Sequence, residues 1–275
     1  MLRTTNDIVL GVGEASYRAI STLGDLSIFS GRTLAWLVRR RPIRGTLLAS
    51  LYAVGVRSVP VVAITGTFIG MVLAVQSYTQ FHNLGLDTRL GSLINISIVR
   101  ELGPVLAATM IAGRVGSAMA AELGTMRVTE QVDALACLGF NPVHFLIVPR
   151  YLACVLLIPL LSVLADFMGI MGGALICTKV YGVDSHYYWL HAQAYVGAWD
   201  VTNGLIKSVF FGAAIALISC HRGLHCDPGA EGVGRAATEA FVASFIVILV
   251  LDFFLAILLA SLHDFWWPVG GARLF

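Results

Sequence analysis

Five stretches of the chain run long and apolar without the polar–apolar alternation of a half-buried element. A helix needs about 20 apolar residues to cross the hydrocarbon core of a bilayer. Residues 58–86 contain no Asp, Glu, Lys or Arg, and their apolar heart, Val59 to Val75, predicts the first span. Gly91 to Ala121 is the second, interrupted by Arg100-Glu101 and by Gly103-Pro104. Tyr151 to Thr178 is the third, with Pro159 and Asp166 inside it, and Leu205 to Cys220 is the fourth, with Lys207 near its start. Ala240 to Leu262 is the fifth, with Asp252 near its middle. Between the second and third spans the pattern changes. Arg114, Glu122, Arg127, Glu130 and Asp133 interleave there with Met119, Leu123, Met126, Val132, Leu135 and Leu138, which recur every three to four residues. That period is a helix with one apolar and one polar face. Set between two embedded stretches, the helix expected over Glu122 to Leu138 lies flat at the membrane surface.

The predicted fold is an all-α polytopic membrane protein in three parts. Residues 1–57 form an N-terminal segment, 58–265 the five-span body and 266–275 a short tail. The first part is too charged to span and too apolar to be disordered. Ile20, Leu23, Leu26, Phe29, Leu34 and Trp36 to Val38 precede Arg39-Arg40-Arg41. This reads as an interfacial helix with its basic end toward lipid headgroups, or as a helix packed on the body. Asp184 to Asp200 is rich in Tyr, Trp and His, a composition found in short helices at membrane interfaces. No compact apolar core followed by a small-residue cleavage site opens the chain, so no cleaved signal peptide is expected.

Composition fixes the class. Apolar residues make up 57%, charged residues 12%, and the mean hydropathy is +0.83, against roughly 25% charged residues in soluble domains. A net charge of +2 gives no footprint for nucleic acid. The arginines set an orientation. Thirteen Lys and Arg lie before the first span or in the connections 2–3 and 4–5, including Arg39 to Arg41, Arg57, Arg114, Arg127, Arg150, Arg222 and Arg235. Only Arg89, Lys179 and Arg273 fall on the other side. Basic residues accumulate on the cytoplasmic side, so the N-terminus is expected inside and, after five spans, the C-terminus outside. Cys137, Cys154, Cys177, Cys220 and Cys226 are an odd number without a CxxC pair and imply no disulfide framework. Cys220-His221 and His225-Cys226 offer thiols and imidazoles, but within seven residues, whereas structural zinc sites draw on two separated pairs. No metal site is expected.

Charges inside spans are costly, at least about 2.5–3.5 kcal/mol for an ionised group at the bilayer centre. Arg100, Glu101 and Lys207 are therefore candidates for a shared function, a charge pair of Glu101 with Lys207 above all. Helix packing alone is the other account of them. Asp166 and Asp252 read as structural. Gly66-x-x-x-Gly70, with Gly169, Gly172 and Gly173, suggests close helix contacts. No GxxxxGK[ST] loop exists: the two lysines, Lys179 and Lys207, follow no glycine-rich loop, and none follows Gly229 to Gly234. The chain has no nucleotide-hydrolysing site of its own.

In order along the chain stand Arg100-Glu101-Leu102-Gly103-Pro104, Ala112-Gly113-Arg114-Val115-Gly116-Ser117, Ala121-Glu122-Leu123-Gly124-Thr125-Met126 and Thr129-Glu130-Gln131-Val132-Asp133-Ala134-Leu135. Asn141-Pro142, Ile206-Lys207-Ser208 and Gly229 to Ala236 follow. From about Ser58 to Leu262 this resembles the MlaE family, permease subunits of lipid-transporting ABC systems in bacteria and plastids. The resemblance implies a homodimer in the bacterial inner membrane, a cytoplasmic ABC ATPase that uses ATP and Mg, and an extracytoplasmic lipid-binding partner with an MCE domain. The chain itself binds no cofactor and is not an enzyme. Phospholipid is the family's commonest cargo and bears on outer-membrane lipid asymmetry; sterols and other hydrophobic lipids occur among relatives. The segment Glu122 to Leu138 resembles the family's coupling helix, which makes Glu122, Arg127, Glu130 and Asp133 candidates for ATPase contact. Leu73, Phe81, Leu84 and Leu102 are expected along the lipid path. Two other classes compete. An ion-coupled carrier would favour buried carboxylates and broken helices in two related halves, which five spans do not provide. An intramembrane enzyme would need an HExxH, GxSxG or paired-Asp motif, and none is present.

Overall fold

The computed structural model describes residues 2–39, 44–82 and 89–266. A 38-residue helix, Leu2–Arg39, precedes five helical runs long and apolar enough to cross a membrane: Gly45–His82, Leu90–Val128, Val143–Val180, Ala198–Leu224 and Ala230–His263. The expected count of five holds, but every run is longer than its apolar heart. The second, at 39 residues, is about 58 Å long at 1.5 Å per residue, against a hydrocarbon thickness of about 30 Å. Hydropathy marks only the part in lipid, and the helices continue beyond it. The first run starts near Gly45 rather than Ser58. Its helix Arg44–Val54 is interrupted at Gly55 and passes through one tight turn, Val56–Ser58, into the helix Val59–His82. Leu84, a candidate path residue, and most of the tail lie outside the described residues.

Small residues let the spans approach closely, because lipid supplies no hydrophobic drive between helices and van der Waals packing must. The first span lies along the third. A methyl group added at Gly66 would come within 2.7 Å of the Ala165 carbonyl oxygen, and one at Gly70 would collide with the Gly169 carbonyl. The GxxxG of the first span thus meets the glycine stripe of the third, as the spacing suggested. Ala107, Ala108, Ile111 and Ala112 of the second span, Cys154 and Ile158 of the third, Phe211, Ile215 and Ala216 of the fourth and Ile248 of the fifth form the core. The outward faces keep large apolar groups exposed, Phe68, Phe167, Phe253 and Phe254 among them, as lipid-facing surfaces do.

The segment between spans two and three departs from expectation. It is not one helix over Glu122 to Leu138. The second span's helix runs through Val128, the backbone turns at Thr129 and Glu130, and a short helix follows at Gln131–Cys137. Glu130 carries a left-handed φ of 59°, uncommon for a residue with a Cβ. Two adjacent β-branched residues, Val128 and Thr129, weaken the helix where it breaks. The N-terminal helix docks at this end of the bundle: Phe29 meets the His221 ring edge-on at 5.4 Å, and Trp36 lies 5.8 Å from His144. Its other positions, Tyr17, Ile20, Ile28, Leu34 and Val38, stay exposed, so one face packs on the body and another is left for lipid. At the opposite end, the aromatic segment forms the helix Ser185–Tyr195, whose Tyr188 is buried against Gly91 and Ile94 of the second span.

Candidate functional site

The site begins with a defect in the second span. Ile98–Leu102 forms a π-turn, one residue wider than an α-turn, a geometry frequent at functional positions. It directs the neighbouring side chains of Arg100 and Glu101 to different partners. Lys207 Nζ, fully buried on the fourth span, lies 2.6 Å from Glu101 Oε2 and 3.0 Å from Asp252 Oδ1 of the fifth. Three helices are joined through one ammonium group. Its two carboxylates differ: Glu101 is 47% exposed and Asp252 23%. Arg100 pairs neither with Glu101 nor with Lys207. Its Nε donates to Asp200 Oδ1 at 2.5 Å, while Asp200 Oδ2 accepts from the Gly197 amide at 2.8 Å. Asp200 also stands in the first turn of the fourth span's helix, where a carboxylate complements the helix dipole.

The sequence therefore placed the Glu101–Lys207 pair and missed two partners. Asp200 precedes Lys207 by seven residues, two helical turns on one face, a spacing that would have found it. Asp252, expected to be structural, faces Lys207 from the fifth span at 3.0 Å. Asp166 lies against Gly103, where an added methyl would overlap its carboxylate, and its Oδ1 is buried without a hydrogen-bond partner among the described residues.

A groove of about 440 Å³ opens along the first span and is bordered by Leu102 of the second, the residue after Glu101; its volume is within the roughly 300–1,000 Å³ of ligand sites. Phe68, Ile69, Val72, Leu73 and Leu102 supply an apolar wall and Gln76 one polar group. Of the four path candidates, Leu73 and Leu102 share this groove. Phe81 packs instead against the cluster of Ala74, Leu90 and Tyr188.

At the other end, the four coupling candidates separate. Arg127 Nη1 and Asp133 Oδ1 form an exposed pair at 2.6 Å that ties the short helix to the second span. Glu130 sits exposed at the turn between them. Leu138 and Phe140 nearby are 72% and 51% exposed, an apolar tip flanked by charge. Glu122 stands apart, 3.3 Å from Arg150 Nη2 of the third span. In the Cys/His cluster, Cys220 and His221 are buried, and the Cys226 thiol donates to the Gly124 carbonyl at 3.5 Å. Among the described residues no three metal-ligating side chains converge.

The comparison with known proteins joins these features. The sequence profile of the family described as Permease MlaE matches residues 47–258. The chain belongs to the MlaE permease family. The second, third and fourth runs and the charged cluster fall inside the match, which also takes in nearly all of the first and fifth, while the N-terminal helix falls outside it. A Rickettsia felis protein named "Probable ABC transporter permease protein" is 40% identical over 247 residues, covering 90% of this chain and 95% of the relative. The Haemophilus influenzae "Intermembrane phospholipid transport system permease protein MlaE" is 40% identical over 210 residues, 76% of this chain and 80% of its own length. The Arabidopsis thaliana "Protein TRIGALACTOSYLDIACYLGLYCEROL 1, chloroplastic" is 37% identical over 229 residues, 83% of this chain and 65% of its own. As an MlaE permease with five apolar helices, the chain is a multi-pass membrane protein, and Arg100, Glu101 and Lys207 lie within the second and fourth of those helices.

Proposed function

We propose that this chain is the membrane subunit of an ATP-driven transporter that moves phospholipid between the inner membrane and an extracytoplasmic carrier. The observation that carries the reading is the apolar groove on Leu73 and Leu102, whose Leu102 directly follows Glu101, the partner of the buried Lys207. Acyl chains need an apolar wall and a headgroup needs polar groups at its edge. Glu101, next to Leu102 and half exposed, supplies that edge. Two copies facing across a two-fold axis would close the groove into a chamber near the outer leaflet. The relatives named as ABC and phospholipid permeases support this cargo and this energy source.

The ATPase docks at the turn bearing Glu130 and Asp133, with Leu138 and Phe140 as its apolar anchor. ATP and Mg belong to that partner, and an MCE-domain protein meets the opposite end. The N-terminus is cytoplasmic and the C-terminus periplasmic, on the arginine count. Purification from native membranes tests the reading: the chain should bring an ATPase and retain diacyl phospholipid detectable by mass spectrometry. Isolation alone, with no ATPase and no retained lipid, would overturn it, and retained sterol would move it to another cargo of the same family.

A further inference from the structure

A second hollow lies at the opposite end of the bundle from the groove. It holds about 330 Å³ and is lined by Arg57, Arg114, Arg150 and Glu122 together with the apolar Val54, Val115 and Met119. Three guanidinium groups face one carboxylate. Glu122 is engaged by Arg150, whose other terminal nitrogen donates to the Leu146 carbonyl at 2.9 Å. Arg114 donates to Ser58 Oγ at 2.6 Å, which fixes its orientation without neutralising it. Arg57 lies 5.7 Å from the centre of the Tyr52 ring. Among the described residues neither Arg57 nor Arg114 has a carboxylate partner, so the hollow keeps uncompensated positive charge and free N–H donors.

Its depth points to one ligand chemistry. The helix Val59–His82 has 24 residues, about 36 Å, which alone covers a hydrocarbon core of about 30 Å. Arg57, two residues before it, therefore stands at headgroup level. Guanidinium forks match phosphate oxygens with two parallel hydrogen bonds, and the apolar lining of Val54, Val115 and Met119 suits the first methylenes of a lipid. A membrane surface supplies anionic lipid in this layer at high local concentration.

We propose that Arg57, Arg114 and Arg150 form a binding site for the phosphate of an anionic phospholipid, in the leaflet on the side of the 129–142 connection. This site is separate from the proposed cargo groove. It rests on the chain being embedded in lipid, not on where cargo travels.

The test is native mass spectrometry of the full chain released from phosphatidylcholine nanodiscs doped with phosphatidylglycerol. The wild type should retain phosphatidylglycerol over phosphatidylcholine by about tenfold, the worth of one charge-assisted hydrogen bond. Arg57 makes no hydrogen bond within the described residues, so Arg57→Gln leaves the fold intact and should remove most of that preference. Arg57→Lys should restore part of it, and Arg127→Gln, on the exposed connection, should leave it unchanged. Equal retention of the two lipids by the wild type, or an unchanged preference in Arg57→Gln, would overturn the proposal. Displacement of the lipid by inorganic phosphate would overturn it in favour of a soluble-anion site. A disulfide or photo-crosslink from position 57 to an acidic segment of a partner protein would overturn it in favour of a protein contact.

Discussion

Replacing Lys207 with methionine tests the charge cluster where it is most sensitive. The ammonium is fully buried and touches Glu101 Oε2 at 2.6 Å and Asp252 Oδ1 at 3.0 Å. Its loss leaves two carboxylates facing each other with no cation between them. Removing one partner of a buried ion pair costs about 3–5 kcal/mol where the charge left behind is buried; Glu101 and Asp252 both reach water, so the lower end, about 3 kcal/mol, is expected. The reverse substitutions are milder, since each leaves Lys207 one carboxylate. Asp252→Asn removes an ion-pair contact whose carboxylate is 23% exposed and should cost about 1–2 kcal/mol, between a screened surface pair and a buried one. Glu101→Gln removes one 47% exposed, which water screens to about 1 kcal/mol or less. The order Lys207→Met, then Asp252→Asn, then Glu101→Gln follows from exposure alone. Thermal unfolding of the purified variants, followed by size-exclusion recovery after heating, reads it at about 2–4 °C per kcal/mol for a chain approaching this size. Lys207→Met should lose roughly 6 °C or more by the same scale. A Glu101→Gln variant as unstable as Lys207→Met would refute the reasoning, because it would mean that the half-exposed contact carries the cluster.

Gly70→Ala drives a methyl into the Gly169 carbonyl and should cost about 1–3 kcal/mol by overpacking, whereas Gly31→Ala, with open space around it, should be neutral or stabilising; equal melting temperatures would contradict the first–third span contact. Reversing Glu130 and Asp133 to Lys should weaken co-purification of the ATPase while leaving the permease folded, since both are exposed; unchanged co-purification and transport would remove the proposed docking role. Glu130→Gly should stabilise the chain by about 1 kcal/mol by relieving the left-handed backbone, and a lower melting temperature would count against that turn. A reporter after Phe275 should read as periplasmic and one near Pro228 as cytoplasmic, and both on one side would contradict the orientation.

The five spans were legible because lipid imposes a length and a polarity that a single sequence displays directly. The glycine contacts were legible for a related reason: Gly66 and Gly70 stand one turn apart, and only backbone contact explains small residues at that spacing in lipid. The break at Glu130 was not legible. The apolar period of Leu123, Met126, Val132 and Leu135 continues across it, since residues on both sides cover one cluster with Phe29, Leu146 and Ile147. A shared buried face therefore imitated one continuous helix. Asp252 was legible as a charge and not as a partner, because proximity to Lys207 depends on how the fifth span rotates against the fourth. The separation of Glu122 from the exposed connection has the same origin. Pairing with Arg150 requires the third span to return beside the second, a tertiary fact with no local signature.

The central claim is that lipid travels through the groove on Leu73 and Leu102. The direct measurement is ATP-dependent transfer of a labelled phospholipid in proteoliposomes that hold this chain and its ATPase, with Leu73→Trp compared against the wild type. Leu73→Trp fills the groove without touching Lys207 or the ATPase end, so transfer should fall to background while the complex stays assembled. Transfer at the wild-type rate by an assembled Leu73→Trp complex would contradict the account.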